Sequence, residues 1–329
     1  MLKAGLSALS VIRCAILLAV FALGGCSVFS PDRGPDEGAV IVAPVESKPP
    51  QIASRPSRTA PDPKPPGLPS VAVVISSSQP AFLDVANSLN DHFDDFTVFD
   101  LSDRSQPPVS VLRVINDSTP GAVVAIGLRA AQSSVAMSES PVIFSQVFNY
   151  HDHDLLNENT RGVAPLAPLD AQLAAWTQID PTISRIGIIV GAGHDALIEE
   201  AQLAAQKHGL ELQIRIANSD QETLYLFRRM VHDIDGFWLF PDNRILSNRS
   251  LQEILRTAKR QRVTVAVPNE SMLKMGADIS LASEAEDIAA TIVGIIRKIQ
   301  SDGLKNVRPV SPLSAIRVVT RDNENVVQR

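Results

Sequence analysis

Between Val71 and Val267 short apolar runs alternate with amphipathic stretches, and the alternation comes in two rounds. The first round predicts strands at Val71 to Ile75, Thr97 to Leu101, Ala122 to Ile126 and Val142 to Phe144. Helices are expected between them at Ala81 to Phe93, Val109 to Ile115 and Ala130 to Ala136. A short strand around Gly162 and a helix from Asp170 to Ile179 lead into the second round. Its strands are expected at Ile186 to Val190, Leu212 to Ile216, Gly236 to Phe240 and Val263 to Val267, and its helices at Ala196 to Lys207, Glu222 to Val231 and Leu251 to Arg260. Strands that alternate with helices pair in parallel and are covered on both faces. Two rounds, each opening on an apolar strand and a polar turn, predict an α/β protein of two Rossmann-like lobes with parallel sheets. A last helix is expected to open with Ser283 and Glu286 as a capping box and to turn Ile288, Ile292, Ile295, Ile296 and Ile299 inward. A strand at Ile316 to Thr320 follows.

The chain ahead of the lobes has a different chemistry. Lys3 and Arg13 flank an apolar run from Ala15 to Leu23, closed by Leu23-Gly24-Gly25-Cys26. That run is too short to span a bilayer and reads as an export leader. Its end resembles a bacterial lipobox, which makes Cys26 the expected lipidation site and attaches the protein to a membrane through an acyl group. From Ser27 to Ser70 lie 11 of the chain's 23 prolines and almost no periodic apolar content, so this segment is expected to be a disordered tether. At about 3.1 Å per residue in extended form it could reach on the order of 130 Å. The expected location is the cell envelope, facing the periplasm, with the outer membrane favoured over the inner by Ser27. The expected organisation is a leader over 1–25, acylated Cys26 and tether over 26–70, a first lobe over 71–167, a second over 168–302, and a tail over 303–329 returning to the first lobe.

Cys14 falls in the leader and Cys26 is the anchor, so no cysteine is left for a disulfide, a thiolate metal site or a nucleophile. Loss of Lys3 and Arg13 with the leader takes the formal charge from −6 to −8. No block of like charge suggests nucleic acid. Asp91, Asp94 and Asp95 read as a solvated helix face, and Lys259, Arg260 and Arg262 as the last turn of a helix, where cations suit the dipole.

In two-lobed α/β proteins ligands bind between the lobes, at the carboxyl ends of the strands. Here those ends are small or polar. In the first lobe they carry Ser76, Ser77, Gly127, Arg129, Ser145 and Gln146; in the second, Gly191, His194, Asp242, Asn243 and Asn269. The same residue types also cap helices and turn the chain.

The order Val123-Val124-Ala125-Ile126-Gly127-x-x-Ala130-Ala131-Gln132, then Pro141-Val142-Ile143-Phe144-Ser145, resembles the first lobe of the bacterial ABC-transporter substrate-binding proteins that include the tryptophan/tyrosine-binding lipoproteins. The stretch Ile179 to Ile188 is similar to that family's crossover, and Pro241-Asp242-Asn243 to its second-lobe binding loop. The resemblance spans about 71 to 320. It implies a type I periplasmic-binding-protein fold holding a small amino-acid-like solute, for an ABC permease. In such a cleft Asp242, aided by Asn243, would face the solute's ammonium. Ser76, Ser77, Ser145 and the helix starts after Gly127 and Gly191 would face its carboxylate, with Phe148, Tyr150 and Phe240 as apolar contacts. The sequence departs from the family at Leu128-Arg129, at Gln146-Val147-Phe148-Asn149-Tyr150 and at Leu281-Ala282-Ser283.

Two sharper motifs carry less. Gly191-Ala192-Gly193-His194-Asp195-Ala196 satisfies a dinucleotide fingerprint, but in the second lobe and in a compartment without that cofactor. His151-Asp152-His153-Asp154 are adjacent loop residues, which rarely face one metal together. The expectation is a binding protein with no enzyme activity, no cofactor and no metal. Its partners would be a small solute, the membrane through Cys26, and an ABC permease. The alternative is a sensor or interaction lipoprotein on the same fold, acting through a periplasmic or outer-membrane protein partner.

Overall fold

The computed structural model describes residues 67–103 and 105–321, and 323–328 as backbone. The leader, Cys26 and nearly all of the tether lie outside the described residues. No helix among the described residues is long and apolar enough to cross a membrane.

The first sheet is wholly parallel and has the order β11-β5-β4-β3-β1-β2. Its strands are β1 (Val71–Ile75), β2 (Phe96–Asp100), β3 (Ala122–Ile126), β4 (Val142–Ser145), β5 (Thr160–Val163) and β11 (Val310–Ser311). Successive residues of a strand face opposite sides, and that period divides the apolar residues of these strands. Val71, Val73, Ile75, Val124, Ile126 and Ile143 pack beneath α1 (Pro80–Asn90) and α8 (Ala285–Asp302). Ala72, Val74, Val123, Ala125, Val142 and Phe144 pack beneath α2 (Pro108–Ser118) and α3 (Leu128–Met137).

The second sheet has the order β13-β12-β10-β9-β8-β6-β7. It is made of β6 (Arg185–Gly191), β7 (Glu211–Ala217), β8 (Gly236–Trp238), β9 (Thr264–Val267), β10 (Ile279–Ala282), β12 (Arg317–Thr320) and β13 (Asn323–Gln328). The first five are parallel, and β12 and β13 finish the edge in antiparallel fashion. One face is covered by α4 (Leu169–Ile179) and α5 (Asp195–Lys207), with Trp176 and Trp238 fully buried there. The other is covered by α6 (Asp220–Met230) and α7 (Asn248–Gln261).

The two lobes with parallel sheets are therefore present, but the lobe boundary differs from the sequence reading. The region 168–302 was expected to stay in the second lobe, yet its last helix, α8, buries Ile288, Ile292, Ile295 and Ile296 against the first sheet. An amphipathic stripe demands an apolar partner without saying which sheet supplies it. The tail divides: β11 extends the first sheet beside β5, whereas β12 pairs with β10 in the second. Three connections thus cross between the lobes, after β5, after β10 and after β11. Buried Arg161 fastens the returning segment, donating to the carbonyls of Val307 and Leu304. The expected Ser283 and Glu286 box does not form. Glu284 is the N-cap of α8 and makes no side-chain capping bond, while a capping box of Ser247 and Ser250 opens α7.

Candidate functional site

The carboxyl ends of the two sheets meet where the segment after β4 reaches the segment after β8. Asn149 is buried and donates through Nδ2 to Asp242 Oδ1 at 2.9 Å and to Asn243 Oδ1 at 3.0 Å. Its own Oδ1 lies 3.0 Å from His194 Nε2. The ring of Phe148, also from the first lobe, packs on His194 with centroids 4.7 Å apart and stacks with Phe240 at 6.3 Å. Tyr150 turns back onto Phe144, and its burial pushes the phenol pKa up.

Asp242 is the only carboxylate buried among the described residues. Gly191 donates its N–H to Oδ2 at 3.0 Å. Arg244 donates its backbone N–H and Nε to Oδ1, at 3.1 and 2.9 Å, and Nη2 to Oδ2 at 2.7 Å. Burial alone would raise the Asp242 pKa, but the bonds from His194, Arg244 and Asn149 outweigh it and hold the carboxyl well below the ordinary range. A carboxylate offers about four lone-pair directions, and these donors fill them. Glycine is required at 191, because a Cβ there would come within 2.5 Å of both Asp242 Oδ2 and Arg244 Nη2.

The third nitrogen of Arg244, Nη1, donates to the carboxylate of Asp152 at 2.7 Å and to the Ala192 carbonyl at 3.1 Å. Asp152 belongs to the first lobe, so this ion pair bridges the lobes. His194 Nε2 lies 2.7 Å from Arg244 Nη2. With a proton on Nε2 the ring donates to Asn149; without one it accepts from Arg244.

The expected first-lobe residues form a different kind of floor. Ser76 Oγ accepts from Ala130 N at 2.9 Å and so caps α3 in place of Gly127, which has no side chain to do so. Gly127 has φ of +85°, and a Cβ there would meet Ser76 Oγ and Phe82 at 2.7 Å. Ser145 is fully buried with an unpartnered Oγ, in register with Ile126 on the sheet face that α1 and α8 cover. Gln146 takes φ of +55° and donates to the Ala81 carbonyl across 3.2 Å. Ser77 is half-buried and Arg129 is exposed in the first turn of α3. Asn269 caps the short turn 270–275 through Ser271 N.

The structure thus joins Gly191, His194, Asp242 and Asn243 in one cluster, with Ser76 and Gly127 in a second and Asn269 outside both. Asn149, Asp152 and Arg244 were not expected from the sequence. Asn149 does lie in the stretch that departs from the family pattern, and Arg244 follows the Pro-Asp-Asn loop directly. The run 151–154 separates: Asp152 serves Arg244, while His153 pairs with Gln132 across 3.3 Å.

A family model described as ABC transporter substrate binding protein matches residues 97–312. Similar folds occur in a substrate-binding protein with adhesive properties from Clostridium difficile, solved ligand-free and open (14% identity, 78% of this chain and 92% of that one, TM-score 0.57). They occur also in the ABC domain from Streptococcus pneumonia in complex with L-Trp (17%, 77% and 92%, TM-score 0.52). A conserved domain protein from Vibrio cholerae aligns at 19% identity over 77% and 92%, with TM-score 0.51. No curated protein matches.

Proposed function

Because the chain belongs to the ABC transporter substrate-binding protein family, we propose that it is a membrane-anchored, periplasm-facing receptor that captures a small amino-acid-like solute between its lobes for an ABC importer. The observation that carries this reading is the Asp242–Arg244 pair, a buried carboxylate holding a partly exposed guanidinium at the point where the carboxyl ends of both sheets meet. Burying such charge is costly without partners, and a polar cluster between two lobes suits polar solutes. The L-Trp held by the similar Streptococcus domain supports the solute class. Cys26 would hold the protein at the membrane, with the Pro-rich tether giving reach.

A second reading is favoured by the saturation of Asp242 by the chain's own Arg244, Gly191 and Asn149. On that reading the two-lobed body serves as a sensor or interaction lipoprotein and meets a protein partner.

A thermal-shift screen of the protein against amino acids, small peptides, nucleosides and periplasmic extract separates the two. A solute at a hundredfold excess over its dissociation constant adds about 2.7 kcal/mol and establishes the receptor. Silence across the panel and the extract, with recovery only in outer-membrane fractions, counts against the importer and favours the second reading.

A further inference from the structure

The charge of the solute follows from which of the site's internal links is easiest to exchange; this step rests on the receptor reading above. The inner link is the Asp242–Arg244 pair. It is bidentate, reinforced by the Arg244 backbone N–H and tied to Gly191, and its carboxylate side chain is 1% exposed. An ammonium group could reach Asp242 only by expelling a covalently tethered guanidinium that already fits the carboxylate. The outer link is Arg244 Nη1 to Asp152. It is a single contact at 2.7 Å to a side chain that is 37% exposed and comes from the opposite lobe. Asp242 therefore holds the guanidinium in place, and Asp152 presents a carboxylate where a solute's would go.

The ground beside this position also suits an anion. α5 begins at Asp195, and its N-cap, His194, makes no side-chain capping bond because its ring is turned toward Asn149 and Arg244. The first amides of a 13-residue helix consequently have no cap from that side chain; such groups favour negative charge, part of which Asp195 in the same turn already supplies.

We propose that the cleft takes its solute through a carboxylate, which displaces Asp152 from Arg244 and is held by the guanidinium fork that Asp242 fixes. Asp152 is then a built-in competitor from the first lobe. It lowers apparent affinity by the fraction of molecules in which it is seated, as a tethered ligand does at its effective concentration.

Calorimetric titration of the full chain with succinate, and with putrescine as a dication of similar length, tests this assignment. Asp152→Asn keeps the loop and removes the competing charge; it should bind succinate about tenfold tighter than the unaltered chain, the change expected if the competitor is seated nine-tenths of the time. Adding Arg244→Lys should abolish that gain, since an ammonium cannot form the fork. Asp152→Asn changes an exposed side chain and carries the test even if the Arg244 variant fails to fold. Tighter putrescine binding by Asp152→Asn, or binding of an amine or neutral solute with no gain for succinate, would overturn the carboxylate assignment and leave the receptor intact. If neither the unaltered chain nor Asp152→Asn takes up succinate, putrescine or any component of periplasmic extract, the receptor reading falls as well.

Discussion

The carboxyl ends of the two sheets solve one problem with different chemistry. In the first lobe a hydroxyl, Ser76 Oγ, reaches from the end of β1 to an amide of α3. In the second a carboxylate, Asp242, reaches from the loop after β8 to the amide of Gly191 at the end of β6. Both ties join a strand end to the segment that leaves a neighbouring strand, and both use a glycine where a Cβ would block the reach. The neutral tie is complete in itself. The ionic one requires a counter-charge, which Arg244 supplies, and a further donor, which Asn149 supplies. The difference teaches that the second floor must recruit partners, one of them from the other lobe, while the first need not.

The largest effect expected from breaking this contrast is at Asp242. Asp242→Ala strands a partly buried guanidinium and the Gly191 amide, and should cost about 3 kcal/mol in chemical denaturation. Gly127→Ala comes next at about 2 kcal/mol, because φ of +85° and the contacts with Ser76 and Phe82 penalise any Cβ. Ser76→Ala should lose about 1 kcal/mol, the worth of a helix cap. Asn243→Ala should lose about 0.5 kcal/mol or less, since Asn149 keeps Asp242 as an acceptor.

Acid separates the two ties more sharply than any of these substitutions. The folded-state pKa of Asp242 is depressed, so its contribution is fully present above the unfolded value near 3.9 and is lost as pH falls toward the folded value. Asp235, which Arg185 draws down to about 2, adds stability lost over the window from about pH 4 to about pH 2. Stability measured between pH 5 and pH 3 should therefore fall less in Asp242→Asn than in the unaltered chain, whereas Ser76→Ala should shift the whole curve without changing its slope.

Much of this was legible in the sequence, because continuous apolar runs between turns mark strands buried on both faces and helical stripes mark helices that cover them. The strand β10 was not, since four residues flanked by Asp278 and Ser283 leave too little periodicity to read. Asp242 could be picked as a site carboxylate from its place at a strand end and from the likeness of its loop to the family's second-lobe loop. Its saturation by Arg244 could not, because a cation two residues away is equally compatible with pointing to solvent. Asn149 was hidden for another reason: it acts across a lobe boundary, 93 residues from Asp242, and no local pattern records such a distance.

The placement of α8 bears on how the chain is made. One face of the first sheet is only half covered by α1, and the rest is covered by α8, whose sequence follows β6 to β10 of the second lobe, so as the polypeptide is synthesised its earliest strands wait for its last helix. Val73, Ile75, Val124 and Ile143 would face solvent or a chaperone through that interval. A fragment ending near residue 167 would keep β1 to β5 and α1 but lose α8, and it should aggregate where the intact chain does not.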